Sequence, residues 1–293
     1  MKIGLKRKLL QVTATLLIFA SAAYPADVLI VGDTDLKPVS DVVKAIIEAV
    51  PGDVSVMSTK DVKEDLSDAV QKENAKVVVA LGKDAVNAAD ALPESVPVIY
   101  GLVIKPPETK RQNITGVYMA TPVSEYVSFI NRYFPDIKKV GVICEQKSLG
   151  FITSSANQPE VEIHSAENPY EFVKGLSSFR GKVDALLLLP EKNLISSKAV
   201  EEVYLFSFAN KIPVIGISEK YVKTGSLFSL VFDEEALGRQ IGRLVVNALT
   251  QEEASSAPSL PPGRFKLYIN KKTAAAMNIT IPAKLLETAQ KVY

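Results

Sequence analysis

The fold of this chain is decided by residues 76–86, KVVVALGKDAV, which lead into residues 96–102, VPVIYGL. The same pattern recurs in residues 183–193, VDALLLLPEKN, which lead into residues 212–218, IPVIGIS. Each copy consists of an apolar run, a polar turn, a helical stretch and a second apolar run. Continuous apolar runs of this kind are typical of strands buried on both faces of a parallel sheet. Two similar α/β units predict two lobes, and a cleft between lobes is a favoured place for a small ligand.

The segments around the two copies continue the alternation of strands and helices. Residues 28–32, VLIVG, and residues 139–144, KVGVIC, read as buried strands. Thr121 and Pro122 predict the start of a helix over residues 121–134, with Thr121 as its N-cap. Strands that alternate with helices indicate a parallel α/β sheet in each lobe.

The order of these elements predicts how the chain is divided between the lobes. We predict an N-terminal lobe from residues 27–116 and part of residues 234–293, and a C-terminal lobe from residues 121–232. Three extended segments punctuated by Gly or Pro are predicted to cross between the lobes and to act as a hinge: residues 113–119, 226–233 and 261–269.

The N-terminus has the layout of a secretory signal peptide, with an apolar segment over residues 9–20 and small residues up to Ala23. The basic residues that precede the apolar segment are Lys2, Lys6, Arg7 and Lys8. A membrane anchor is the alternative, but this apolar run is shorter than the ~20 residues that a spanning helix needs. We therefore predict that residues 1–23 are removed on export, and without a nearby cysteine we expect no lipid anchor.

Composition limits the kinds of partner. Removal of residues 1–23 lowers Lys plus Arg from 34 to 30, against 33 Asp plus Glu. A mildly acidic chain argues against nucleic acid or anionic lipid as the main partner. The remaining length is sufficient for two domains of ordinary size.

The sequence carries no recognisable catalytic or metal-binding motif. A single histidine, His164, and a single cysteine, Cys144, exclude an ordinary His/Cys metal site and an internal disulfide. The spacings of a P-loop, of a GxGxxG dinucleotide site and of a GxSxG nucleophile elbow are all missing. We predict a binding protein rather than an enzyme, with no cofactor and no metal.

A series of short segments resembles a known protein family. In chain order the segments are residues 113–117 (NITGV), 139–143 (KVGVI), 221–226 (YVKTGS), 233 with 237–238, and 268–274 (YINKKTA). Their order and spacing resemble an ABC-transporter substrate-binding family that includes carriers of tryptophan and tyrosine. The similarity covers nearly all of the chain from residue 76 onward. It implies a type I periplasmic-binding-protein fold, in which two Rossmann-like lobes with parallel sheets are joined by a three-crossing hinge and close on a ligand.

The resemblance also implies a function and its partners. The implied protein is a periplasmic monomer that serves an ABC importer and delivers a small polar ligand, an amino acid or a related small anion, to an ABC permease and its ATPase in the inner membrane. The chain departs from the family at residues 81–85, LGKDA, where small hydroxyl residues are more usual, so the aromatic specificity is not carried over. The same fold serves ligand-sensing modules of membrane receptors and sensor kinases, and this alternative stays open.

Ligands of open α/β sheets lie beyond the carboxyl ends of the strands, against helix N-termini whose free N–H groups favour carboxylate or phosphate. We therefore expect ligand-binding side chains in the loops at these strand ends and at one crossing. The candidates are Thr34, Lys83, Asp84, Tyr100, Lys105, Ser148, Asn193, Ser218 and Asp233.

Several of these residues have an alternative interpretation. Asp233 either receives a ligand ammonium group or caps a helix, and Tyr100 either flanks a ligand ring or belongs to the core. If Lys83, Lys105 and Lys147 all face the cleft, the ligand carries more negative charge than a neutral amino acid. The alternative is that they are solvated lysines in surface loops.

Overall fold

The structure is a computed structural model that describes residues 27–62, 65–152, 160–250 and 258–293. The predicted signal peptide, residues 1–23, lies outside these ranges. No helix within them is long and apolar enough to cross a membrane. The described residues form two α/β lobes, each with its own sheet and its own hydrophobic clusters.

The first lobe is built on a five-stranded parallel sheet. Its strands are β1 (Val28–Val31), β2 (Val54–Met57), β3 (Val77–Leu81), β4 (Val98–Gly101) and β5 (Ile114–Gly116). Its helices are α1 (Lys37–Ala49), α2 (Thr59–Val62), α3 (Leu66–Glu73) and α4 (Lys83–Ala89). The strand order is β2-β1-β3-β4-β5. Every residue of β1, β3 and β4 is buried, as their continuous apolar runs predict.

The second lobe is built on a seven-stranded sheet. Its strands are β6 (Lys139–Cys144), β7 (Glu160–Ser165), β8 (Ala185–Leu187), β9 (Val214–Gly216), β10 (Phe228–Phe232), β11 (Phe265–Ile269) and β12 (Lys291–Val292). From residue 123 onward the chain forms the helices α5 (Val123–Tyr133), α6 (Pro169–Leu176), α7 (Ser197–Asn210), α8 (Glu219–Thr224), α9 (Glu234–Thr250), α10 (Lys271–Ala276) and α11 (Ala283–Thr288). The strand order is β12-β11-β10-β9-β8-β6-β7.

The pattern that is repeated in the sequence is also repeated in space. The order β7-β6-β8-β9-β10 in the second lobe reproduces the order β2-β1-β3-β4-β5 in the first. In each lobe the direction of winding reverses between two neighbouring strands, β1 and β3 in the first lobe and β6 and β8 in the second. The crevice at such a switch point is where doubly wound sheets bind their ligands.

The second sheet is parallel, as predicted, except for one strand pair near its edge. Strand β11 runs antiparallel to β10, and β12 is parallel to β11. The reason is topological, because β10 carries the chain out of the second lobe and β11 carries it back beside the same edge.

Two of the three predicted crossings are shorter than expected for the same reason. Most of residues 226–233 forms β10, and the end of residues 261–269 forms β11, so these parts belong to the second sheet. The crossings lie next to one another: the Tyr118 amide donates to the Leu260 carbonyl at 3.1 Å, and the Asp233 amide donates to the Arg264 carbonyl at 3.1 Å.

Helix α9 follows the strands of the second lobe but packs on α1 of the first, where its apolar side chains join one hydrophobic cluster. Close approach of the two helices requires glycine. A Cβ atom at Gly238 would lie 2.6 Å from the Ala45 Cβ atom and 2.6 Å from the Val42 carbonyl oxygen. A Cβ atom at Gly242 would lie 2.6 Å from the Ala49 Cβ atom. Of residues 234–293, α9 therefore belongs to the first lobe, while β11, α10, α11 and β12 belong to the second.

We expect Gly238→Ala to lower the free energy of unfolding by roughly 1–2 kcal/mol, because a Cβ atom 2.6 Å from a backbone oxygen puts the overpacking cost at about 2–3 kcal/mol and better helix propensity offsets only about 1 kcal/mol. Urea denaturation measures the change. Gly150→Ala is the matched control, since nothing lies within 4 Å of a Cβ atom at that position. The control should stay within about 0.5 kcal/mol of the parent protein. An unchanged stability of Gly238→Ala would contradict the close packing of α1 and α9.

Candidate functional site

The switch point of the second lobe faces a loop of the first lobe. Ser148 lies in a 3₁₀ helix, Gln146–Phe151, that follows β6, and Glu191 lies in the loop that follows β8. Lys105 follows β4 of the first lobe. Because these loops all leave the carboxyl ends of parallel strands, they meet in the cleft between the lobes.

Lys105 joins the two lobes across this cleft. Its Nζ atom donates to Ser148 Oγ at 2.6 Å and lies 2.9 Å from both carboxylate oxygens of Glu191. The Glu191 side chain is 3% exposed, whereas the Lys105 side chain is 28% exposed. Attraction between opposite charges is stronger where water is excluded, so this ion pair couples the positions of the two lobes more strongly than a pair on an open surface.

A second ion pair lies beside the first but stays within one lobe. Lys147 Nζ is 2.9 Å from Glu145 Oε2, and the two side chains are 63% and 8% exposed. Burial raises the pKa of Glu145, but hydrogen bonds from Lys147 and Asn193 and the nearby Lys105 charge outweigh it, so the pKa lies below its ordinary value. Glu145 is therefore ionised at neutral pH.

An apolar cavity of about 210 Å³ lies near this cluster in the cleft. Its lining comes from both lobes and from the crossings: Ile104, Met119, Ala120, Thr121, Tyr126, Leu188, Leu189, Pro190, Ile217, Ser218, Leu230, Val231 and Phe232. A smaller space of about 60 Å³ shares Ala120, Thr121, Leu189 and Pro190 with it and reaches Lys105, Ser148 and Glu191. The cleft thus has a charged end and an apolar end that share part of their lining.

Two hydroxyl groups anchor the lining of the cavity to β10. Thr121 Oγ1 donates to the Leu230 carbonyl at 2.8 Å, and the Tyr126 hydroxyl lies 3.2 Å from the same oxygen. Burial raises the pKa of Tyr126 to about 12, so its hydroxyl keeps the proton that it donates. The Thr121 hydroxyl makes this bond instead of the predicted helix cap, because α5 begins at Val123 and its cap position is Pro122.

Four of the predicted site residues lie together in this part of the cleft. Lys105 and Ser148 are in contact, Asn193 hydrogen-bonds to Glu145 beside them, and Ser218 lines the apolar cavity. Glu191 is not among the predicted site residues, although it lies in the same loop as Asn193. Its position directly after the apolar run of residues 185–190 is the available clue.

The other predicted residues do not line either of these cavities. Thr34, Lys83 and Asp84 are exposed on the first lobe. Tyr100 is 1% exposed and packs in a hydrophobic cluster. Asp233 accepts a hydrogen bond from the Ala236 amide at 2.9 Å, which makes it the N-cap of α9.

The surroundings of Lys83, Lys105 and Lys147 determine whether these lysines give the cleft a net positive charge. Lys105 and Lys147 are each paired with a glutamate, so these four side chains carry no net charge, and Lys83 is exposed at the start of α4. Among the described residues, no group of three or more His, Cys, Asp or Glu side chains is placed to hold a metal ion. Cys144 is buried behind the cluster, and burial raises its thiol pKa to about 11, which keeps the thiol protonated and unreactive.

Solved structures share the architecture of this chain. The ABC domain in complex with L-Trp from Streptococcus pneumonia is 20% identical with a TM-score of 0.56, and the alignment covers 91% of this chain and 99% of that chain. The ligand-free, open structure of CD0873, a substrate binding protein with adhesive properties from Clostridium difficile, is 18% identical with a TM-score of 0.67, covering 90% and 98% of the two chains.

Sequence similarity to one relative and to one family identifies the family of this chain. A tyrosine-binding protein of Clostridioides difficile (strain R20291) is 25% identical over 228 residues, which is 74% of this chain and 64% of that protein. The chain thus spans less than two thirds of the length of this relative. Residues 52–293 match the family described as ABC transporter substrate binding protein. Since this match extends over most of its length, the chain belongs to the ABC transporter substrate-binding protein family.

Proposed function

We propose that this protein is the extracytoplasmic solute-binding component of an ABC importer and that it binds an amino acid or a related small anion between its lobes. The observation that carries the proposal is the Lys105–Ser148–Glu191 cluster, which draws on both lobes and lies next to an apolar cavity. A ligand that contacts both lobes favours the closed arrangement by its differential affinity for it.

The geometry favours a small ligand with one charged end and one apolar end. The cavity of about 210 Å³ is smaller than the roughly 300–1,000 Å³ of a typical ligand pocket, so it suits a single small molecule. Lys105 and Ser148 offer donors to a carboxylate, and the lining beyond them is mostly apolar. The relatives support the amino-acid class, since one is named a tyrosine-binding protein and another was crystallised with L-Trp.

The proposal extends to export and partners. Residues 1–23 direct the chain to the periplasm, where a monomer delivers its ligand to an ABC permease and its ATPase in the inner membrane. The protein binds its ligand without turnover, in keeping with a sequence that lacks the spacings of a P-loop, a GxGxxG site and a GxSxG nucleophile elbow.

We expect amino acids to raise the melting temperature of the purified protein. A ligand at a hundred times its Kd adds about 2.7 kcal/mol to the apparent free energy of unfolding. A thermal-shift screen of the twenty amino acids, with small dicarboxylates and sugars beside them, measures this. A screen in which no amino acid and no small anion shifts the melting temperature would overturn the proposed function.

Ser148→Ala should weaken ligand binding by roughly 1–3 kcal/mol, because it removes a buried hydroxyl at the charged end of the cleft. Isothermal titration calorimetry with the amino acid that gives the largest thermal shift measures the loss. Thr34→Ala is the matched control, since this exposed hydroxyl lines neither cavity, and its affinity should equal that of the parent. The opposite ranking of the two variants would place the ligand in the first lobe, away from the cluster.

Lys105→Met should shift the ligand-free protein toward an open arrangement of the lobes. The substitution leaves the Glu191 carboxylate buried without its cation, and the lobes relieve this by rotating apart and admitting water. Small-angle X-ray scattering should then give a larger radius of gyration than for the parent. Lys147→Met, which breaks an ion pair within one lobe, should leave the radius unchanged. Equal radii for all three proteins would show that the ion pair does not hold the lobes together.

A further inference from the structure

The Lys105 ammonium group makes three contacts across the cleft. It has three N–H donors, and Ser148 Oγ and the two oxygens of Glu191 lie within hydrogen-bond distance of its Nζ atom. A ligand carboxylate that binds Lys105 therefore competes with Glu191 for the same donors.

The consequence for Glu191 follows from its burial. With 3% of its side chain exposed, the carboxylate has little contact with water that could replace Lys105. The neighbouring cation, Lys147, lies 2.9 Å from Glu145 and is already engaged. A buried carboxylate that loses its counter-ion is strongly destabilised. A ligand with a carboxylate but no ammonium group thus pairs with Lys105 and leaves the buried Glu191 carboxylate without a counter-ion.

We infer that Glu191 determines the specificity of the cleft by selecting ligands that bring their own cation. A zwitterionic amino acid replaces both halves of the ion pair: its carboxylate binds Lys105 and Ser148, and its ammonium group binds Glu191. The inference rests on the proposed function and narrows its ligand class, because it assigns the cleft to amino acids and excludes simple carboxylates of the same shape.

Lys105 and Glu191 differ in solvent exposure, so loss of the ligand carboxylate and loss of the ligand ammonium group have unequal effects on binding. Lys105 is 28% exposed and its long side chain can turn its ammonium group to water, whereas Glu191 cannot. A ligand that carries only an ammonium group pairs with Glu191 and releases Lys105 to solvent. The cleft therefore tolerates the loss of the ligand carboxylate better than the loss of its ammonium group.

Matched ligand sets test this inference by isothermal titration calorimetry at neutral pH. The first set is L-tyrosine, 3-(4-hydroxyphenyl)propanoate and tyramine, and the second is L-leucine, 4-methylpentanoate and 3-methylbutylamine. For each set whose amino acid binds, the parent protein should bind the amino acid at least roughly 100-fold more tightly than the carboxylate, with the amine between them.

Glu191→Gln keeps the shape of the side chain and removes its charge. It should reduce the affinity for the amino acid by at least about tenfold and bring the preference over the carboxylate below roughly tenfold. Glu160→Gln is the control, a glutamate of the same lobe that is paired with Lys139 at 3.0 Å and lines neither cavity, and it should keep the preference of the parent. Melting curves of both variants establish that they are folded.

If the protein binds amino acids, so that the proposed function stands, either of two outcomes overturns the inference. Either the parent binds the amino acid and its carboxylate analogue within about threefold of each other, which needs no variant, or Glu191→Gln retains the full preference. If neither these amino acids nor any of the other eighteen binds the parent protein, this inference falls; if anions bind instead, the proposed function survives with the anion as its ligand.

Discussion

The arrangement of the cleft depends on one constraint: a buried carboxylate in the second lobe is balanced by a cation from the first. Glu191 is almost fully enclosed, and the Nζ atom of Lys105 lies 2.9 Å from both of its oxygens. An isolated buried charge is far more costly than a lost neutral hydrogen bond. Opening of the lobes has to supply something in place of Lys105, and on the proposed function exchange of a ligand does so too. The proposed function thus couples conformation and occupancy through the same carboxylate.

The topology explains how two lobes come to share one ion pair. Strand β10 carries the chain out of the second lobe, α9 packs on the first lobe, and β11 returns antiparallel to β10. The crossings are short and hydrogen-bonded to one another, as between Tyr118 and Leu260. Adjacent short crossings favour rotation of the lobes about a common line over sliding, which is the motion of a hinge. Such a rotation brings the loops after β4, β6 and β8 together or apart as groups.

Much of the fold could be predicted from the sequence, because its strongest features are local. Continuous apolar runs identify β3, β4, β8 and β9 wherever the rest of the chain lies. The antiparallel pairing of β10 with β11 could not be predicted, since it depends on the return path of the chain. The partner of Lys105 was missed for a similar reason. Glu191 lies 86 residues further along the chain, and no local pattern relates the two.

The same limit applies to which candidate site residues line the cavities of the cleft. Asp233 has the spacing of a helix cap and is one, which a local pattern does show. Thr34, Lys83 and Asp84 follow strands of the first lobe, as Lys105 does, yet they lie outside the cavities. Which strand ends of one lobe face the other lobe is set by the crossings, and this cannot be read from any single strand.

On the proposed function, affinity and specificity in this cleft come from different groups. Replacing one ion pair by two pairs to a ligand gives little net free energy, because the ligand charges lose their hydration when they form these pairs and this cost offsets the new attraction. The net driving force of binding must then come from the apolar end, at about 25 cal/mol for each Å² of apolar surface removed from water. Thr121 and Tyr126 tie that end to the Leu230 carbonyl of β10, the strand that leads into a crossing. An occupant of the apolar cavity thus packs against a segment that has to move when the lobes rotate.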